Sequence, residues 1–139
     1  MDNRPKGVIL VAIIMFIAAV LAIIIGISII IPGTPLDAIW NLKNSFPPGF
    51  KSTIIGIIFA YFLIILGLIM LYATYGLTKG CKWAWWITLI IFTVNGIGDA
   101  VSLAFGGGFN GITGIIIITV FLFYLTRPNV KKYFETKQN

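Results

Sequence analysis

The chain has no histidine, a single cysteine and only four acidic residues among its 139. One thiol excludes an internal disulfide, and a chain without histidine has no Cys/His zinc pattern. Nucleophile–base pairs, carboxylate dyads, the HExxH motif, the P-loop and the dinucleotide fingerprint are likewise missing from the sequence. We therefore expect no enzymatic activity, no cofactor and no metal site.

Charge of either sign is scarce. Charged residues make up 10% of the chain and hydrophobic residues 59%, with a mean hydropathy of +1.03. A soluble domain carries roughly 25% charged residues, so most of this protein's surface is expected to face lipid. The net charge of +6 does not indicate a nucleic-acid partner, because the basic residues stand at the ends of apolar stretches.

Four apolar stretches are present instead, at about 8–31, 53–77, 83–105 and 111–126. The first three are long enough to cross a hydrocarbon core of roughly 30 Å, and the fourth is short for a span. These lengths predict one all-α transmembrane domain over 1–139, an up-down-up-down bundle of four helices.

The distribution of lysine and arginine predicts the orientation. With four spans, eight basic residues fall on one side of the membrane, and only Lys43 and Lys51 fall on the other. The positive-inside rule then places both termini in the cytoplasm of a multi-pass protein of the cell membrane. The eight residues are Arg4, Lys6, Lys79, Lys82, Arg127, Lys131, Lys132 and Lys137.

The outer loop, 32–52, is predicted to contain a short interfacial helix. Thr34 suits its N-cap, Pro35 its first position and Asp37 the acidic position of a capping box. Ile39 and Trp40 continue the helical spacing on the apolar face.

The basic tail, 127–139, reads as a small amphipathic segment at the inner surface. Anchoring is the simpler interpretation, and docking of a soluble partner or an anionic lipid is the alternative. The predicted anchor residues are Lys131, Lys132, Tyr133 and Phe134.

Small or polar residues recur every seven positions in three helices, which predicts packing seams of a left-handed bundle. Ala18, Ala22 and Gly26 also permit a right-handed contact between two protomers. The seams are Ala12, Ala19 and Gly26 in the first helix, Ala60, Gly67 and Thr74 in the second, and Thr88, Asn95 and Ser102 in the third.

Asp99 is the one acidic residue inside an apolar stretch. A carboxylate in hydrocarbon costs several kcal/mol unless it is solvated, paired or protonated. We expect it to point into the bundle and to join a polar cluster in the outer half of the membrane. This cluster either ties helix ends together or forms a proton or cation site. Its predicted members are Asp99, Asn95, Ser28, Tyr61 and Thr113.

Three motifs resemble those of a family of small prokaryotic four-helix membrane proteins, abundant in archaea. They are "RPKGVILVAI" from Arg4, "YGLTKGCKWAWW" from Tyr75 and "YLTRPNVKKYF" from Tyr124. The resemblance implies fold and topology and carries over no site residues. Small multidrug transporters resemble one another by an acidic residue in the first helix, which 8–31 does not have.

The sequence favours a protein that acts by association, with itself or as a small accessory subunit of a membrane complex. The alternative is a small ion- or solute-translocating protein that uses Asp99 in an outward-facing cavity. The lipid bilayer and another membrane protein, or a second copy, are the expected partners.

Overall fold

A computed structural model describes residues 4–38, 49–106 and 108–137. Helix takes up 88% of these residues and no strand occurs among them, so the fold is all-α as predicted. The helices are α1 (Lys6–Ile30), α2 (Ile54–Lys79), α3 (Lys82–Ala104), α4 (Gly108–Leu125) and α5 (Pro128–Thr136), with a 3₁₀ turn at Phe50–Ser52.

Three helices, α1 to α3, are long and apolar enough to cross a membrane. Their 25, 26 and 23 residues correspond to roughly 35–39 Å, against a core of about 30 Å. The stretch Gly111–Leu125 reaches a spanning length only together with Pro128–Thr136, from which it is bent by 56°. The described part of the chain therefore has three potential spans, or four if this bent pair forms one.

Glycine ends two of these helices, because the left-handed backbone there costs other residues more. After α2, Gly80 has φ 75°, its N–H bonds Leu77 O at 3.0 Å, and the Cys81 N–H bonds Gly76 O at 2.9 Å. This is the Schellman arrangement. Gly106 follows α3 with φ 90°, and its N–H bonds Leu103 O at 3.1 Å.

The outer loop begins with the helical turn that the sequence predicts. Residues 35–38 are helical, Pro35 takes the first position, and the Asp37 N–H bonds Thr34 O at 2.9 Å. The rest of the predicted interfacial helix, including Ile39, Trp40 and Lys43, lies outside the described residues.

The chain divides into two compact units, residues 15–71 and residues 1–14 with 72–139. In the first, α1 and α2 run antiparallel, with Gly26 opposite Ala60 and Gly67 opposite Ala19. A Cβ added at Gly26 would lie 2.8 Å from Ala60 O, and one at Gly67 would lie 2.9 Å from Ala19 O. All four residues are buried, so the backbones meet where the seven-residue spacing places small residues.

In the second unit, α3 and α4 form an antiparallel hairpin. The rings of Phe92 and Phe121 stack with centroids 5.6 Å apart, and a Cβ added at Gly96 would lie 3.1 Å from Ile118. Ala12 and Thr74, the remaining seam residues of α1 and α2, are also buried.

The seam predicted on α3 is only partly buried. Thr88 is fully buried, whereas Asn95 and Ser102 are exposed. Every buried residue of α3 lies between Ala84 and Phe92, in the N-terminal half of this helix. A period of seven identifies a common face but does not fix how far along the helix that face is covered.

Candidate functional site

Asp99 points from α3 towards the backbone of α4. A Cβ added at Gly114 would lie 2.7 Å from Asp99 Cγ and closer still to Oδ2. Gly111 lies one turn earlier on α4 and is also close to Asp99. A Cβ added at Gly111 would lie 3.2 Å from the Asp99 carbonyl oxygen. The half-buried carboxylate thus occupies the space that glycine leaves at position 114.

The members of the predicted polar cluster belong to both units. Asn95 and Thr113 are both exposed, and the Asp99 carboxylate has no hydrogen-bond or ion-pair partner among the described residues of its unit. In the other unit, Ser28 is buried and its hydroxyl donates to Ile25 O at 2.7 Å, while Tyr61 is 56% exposed. Within its unit, Asp99 lies against two glycines of α4, Gly111 and Gly114.

The unit that contains Asp99 also gathers the basic segments of the sequence. A Cβ added at Gly7, near the start of α1, would collide with the Tyr124 ring near the end of α4. At the α2–α3 connection, Gly80 lies against Tyr133 of α5. A Cβ added at Gly80 would lie 3.1 Å from the Tyr133 hydroxyl oxygen. Trp85 Nε1 donates to Leu125 O at 3.0 Å and ties the start of α3 to the end of α4.

The tail helix α5 is held by the protein itself. Val130 and Phe134 are buried, and the Phe134 ring stacks on Trp85 with centroids 6.4 Å apart. Lys131 and Lys132 are exposed on the other face. The Phe134 ring, predicted as part of a surface anchor, is thus a packing residue of this unit. Tyr133 is half-buried, and its buried hydroxyl has no hydrogen-bond partner among the described residues.

Cations at this end lie over aromatic rings. The Arg127 guanidinium is 5.5 Å from the centre of the Phe123 ring, and Lys79 Nζ is 5.6 Å from that of Tyr75. Such contacts are typical of the interface between lipid and water, where a ring has one apolar and one wet side.

An open, almost wholly apolar groove of about 460 Å³ runs along the α3–α4 hairpin. Trp86 and Thr126 line one end of the groove. Lys82 lies one helical turn before Trp86, and Arg127 follows Thr126 in the chain. The residues that line the groove are Trp86, Leu89, Ile90, Thr93, Val94, Leu122 and Thr126.

Polar contacts in the outer loop centre on Asp37. Lys51 forms an ion pair with Asp37, and its Nζ also donates to Ser28 O at 3.3 Å near the end of α1. The Gly33 N–H donates to Asp37 Oδ2 at 2.7 Å. The hydrogen bond from Lys51, and then that from Gly33, hold the pKa of Asp37 below its ordinary value. No pattern in the sequence predicts that Lys51 contacts this turn.

The described residues contain no group of three or more potential metal ligands among His, Cys, Asp and Glu. Comparison of the chain with profiles of protein families, with curated proteins and with solved structures found no significant match.

Proposed function

We propose that this chain is a multi-pass protein of the cell membrane that acts by association, as a homo-oligomer or as a small accessory subunit, and has no enzymatic activity. In this proposal α4 is a fourth span, the helices alternate in direction, and both termini are cytoplasmic. Membership of the small archaeal membrane-protein family belongs to the same proposal. The partners are the bilayer and another copy or another membrane protein, and not nucleic acid.

One observation carries the proposal, the continuation of a single face along α3. Positions spaced alternately by four and three residues form this face, which we call the α3 stripe. Its inner half is buried and its outer half is exposed. The stripe consists of Ala84, Thr88 and Ile91 in the buried half and Asn95, Gly98 and Ser102 in the exposed half.

The exposed half of the stripe suits a helix better than lipid. The amide of Asn95 carries donors and acceptors that hydrocarbon cannot satisfy, whereas an amide on a neighbouring helix can. A Cβ added at Gly98 would meet no atom within 4 Å, so this glycine leaves room for another backbone to approach. Around a two-fold axis, Asn95 of one copy can both donate to and accept from Asn95 of another.

Cysteine crosslinking in native membranes tests the proposal. With Cys81→Ser as the background, Ser102→Cys should give a disulfide-linked product, either at twice the 15.3 kDa of the chain or at the mass of a complex with another protein. Ala100→Cys is the matched control, because residue 100 is exposed at the same depth on the other side of α3. Equal crosslinking at both positions, or none at either, would contradict the proposal.

A second substitution separates association from folding. Gly98→Leu places a large side chain in open space and removes a helical glycine, so the monomer should be at least as stable as the wild type, while the crosslinked product of Ser102→Cys is lost. Retention of the product would show that the stripe is not the contact.

Thiol labelling tests the proposed topology. In the same background, an impermeant maleimide should label Ser52→Cys on intact cells, and should label Thr136→Cys only after the membrane is permeabilised. Both residues are exposed and lie outside the four predicted stretches. Labelling of residue 136 on intact cells would overturn the orientation.

Translocation through Asp99 is a second candidate function, favoured by the half-buried carboxylate without a partner among the described residues of its unit. An intramembrane acid commonly marks a path for ions or protons. Proteoliposomes should then show a flux that Asp99→Asn abolishes and Asp37→Asn, in the outer loop, retains. The absence of flux for protons and common cations in the wild type would remove this candidate.

A further inference from the structure

We propose that the groove along α3 and α4 binds one acyl chain of an anionic phospholipid, with the headgroup phosphate held between Lys82 and Arg127. The proposal is independent of the association proposed above, since helical spacing places the groove and the α3 stripe on different sides of α3.

The shape and lining of the groove suit a hydrocarbon chain. Its volume of about 460 Å³ is within the range of roughly 300–1,000 Å³ that is usual for ligand sites. Two helices supply the walls, Leu89 and Ile90 from α3 and Leu122 from α4. Thr93 supplies the polar group halfway along the groove. Its hydroxyl already donates to Leu89 O at 2.8 Å, so it needs no acceptor from a bound acyl chain.

Charge gives the occupant a direction. Trp86 and Thr126 line one end of the groove, and a basic residue is close to each of them in the chain. Lys82 lies one helical turn before Trp86, and Arg127 follows Thr126, with its guanidinium 5.5 Å from the centre of the Phe123 ring. The phosphate of a lipid whose acyl chain lies in the groove would therefore be near two basic residues, one at the start of α3 and one in the connection between α4 and α5. A guanidinium and an ammonium both bind phosphate well, through bidentate hydrogen bonds and as a point charge respectively.

The surroundings favour an anion over a zwitterion. The segments predicted to lie on the cytoplasmic side contain eight basic residues and two acidic ones, Asp2 and Glu135. These segments therefore account for the whole net charge of +6. Glu135 lies 4.0 Å from Lys131 on the exposed face of α5, where the two side chains are 48% and 56% exposed, and such a pair neutralises little. Lys82 and Arg127 have no acidic partner among the described residues.

The test measures which lipid remains bound to purified protein. Wild-type protein in nanodiscs that contain equal amounts of phosphatidylglycerol and phosphatidylcholine, with identical acyl chains, is released into the gas phase and the retained lipid is identified by mass spectrometry. Phosphatidylglycerol should be retained preferentially. Cations near a membrane surface contribute roughly fivefold each to the binding of anionic lipid, so Lys82→Gln with Arg127→Gln should reduce this preference by about 25-fold.

Two further variants separate the headgroup from the acyl chain. Thr93→Phe fills the groove and should reduce the retention of both lipids, with the cations untouched. Lys131→Gln with Lys132→Gln removes the same number of charges from the exposed face of α5. Because a cation that contacts the lipid contributes roughly fivefold to binding and these two do not line the groove, the preference for phosphatidylglycerol should stay within about twofold of the wild type.

Several results would overturn the proposal. Equal retention of the two lipids by the wild type would exclude the phosphate site, and unchanged retention by Thr93→Phe would exclude the groove. An equal loss from both pairs of charge variants would indicate a diffuse basic surface. Displacement of lipid by an acidic protein or by RNA at stoichiometric amounts would assign the cations to a different partner.

Discussion

Gly114→Ala should destabilise the protein, because the Asp99 carboxylate occupies the space beside the Gly114 Cα and must turn away to admit a methyl group. In Gly114→Ala the new Cβ would lie 2.7 Å from Asp99 Cγ, whereas carbon atoms in contact normally stay about 3.5–4.0 Å apart. Overpacking of this kind typically costs about 1–3 kcal/mol of unfolding free energy. The helical backbone itself would gain up to about 1 kcal/mol from the change of glycine to alanine, which offsets part of this cost.

Gly98→Ala is the matched control, because its added Cβ meets no atom within 4 Å. Both substitutions carry the same change in helix propensity, so the difference between them isolates the collision with Asp99. We expect Gly114→Ala to be less stable than Gly98→Ala by about 1–3 kcal/mol. The assay is reversible unfolding in mixed micelles, titrated with sodium dodecyl sulfate and followed by circular dichroism.

A double-mutant cycle identifies the collision partner. Asp99→Ala removes the carboxylate, so in that background the effects of Gly114→Ala and Gly98→Ala on the unfolding free energy should agree within about 0.5 kcal/mol, the margin within which independent sites add. If Gly114→Ala costs as much with Ala at position 99 as with Asp, the collision is not with this carboxylate. If Gly114→Ala is as stable as Gly98→Ala in the wild-type background, the close approach of α3 and α4 is refuted.

Three further substitutions test other contacts by unfolding in the same micelles. Gly67→Ala should cost about 1–3 kcal/mol, because the added Cβ would lie 2.9 Å from the backbone oxygen of Ala19, which cannot rotate away; a neutral result would contradict the α1–α2 contact. Tyr133→Phe should be neutral or stabilising, since it removes a buried hydroxyl without a partner among the described residues; a loss above roughly 1 kcal/mol would reveal a hydrogen bond. Asp37→Asn should lower the melting temperature at neutral pH. Because the folded pKa of Asp37 is depressed, its contribution is present above the ordinary carboxyl pKa of about 3.9 and is lost as pH falls through the folded value. The difference from the wild type should therefore shrink below about pH 4, and a difference independent of pH would contradict the role of the ion pair.

Sequence spacing anticipates the α1–α2 contact well, for a physical reason. Small residues repeat every seven positions on both helices, and each repeat marks a strip where backbones can approach. Antiparallel neighbours bring such strips together at more than one level, as Gly26 with Ala60 and Gly67 with Ala19 illustrate. Local periodicity is sufficient because the two partners carry matching patterns.

The surroundings of Asp99 could not be read in this way. A polar residue in an apolar helix suggests polar neighbours, yet the Asp99 carboxylate lies against Gly114, and Asn95 one turn away is exposed. Which residue of α4 meets Asp99 depends on the register of the hairpin, and that register is set by the turn and by ring stacking of Phe92 on Phe121. Neither determinant can be recognised from the residues that flank Asp99.

The tail illustrates a different limit. The alternation of apolar and basic residues correctly identifies two faces of α5, but it does not say whether the apolar face meets lipid or protein. In the structure Phe134 packs on Trp85, a residue 49 positions earlier whose role is not visible in the tail itself. An amphipathic pattern therefore predicted the helix and left its partner open.

Crosslinking along the whole outer half of α3 tests the central claim most directly. Single cysteines at each position from 93 to 105, in the Cys81→Ser background, are oxidised in native membranes and the product is quantified. Association through the α3 stripe predicts maxima at residues 95, 98 and 102, with minima on the opposite side around residue 100. A profile without periodicity, or one with its maximum around residue 100, would contradict it.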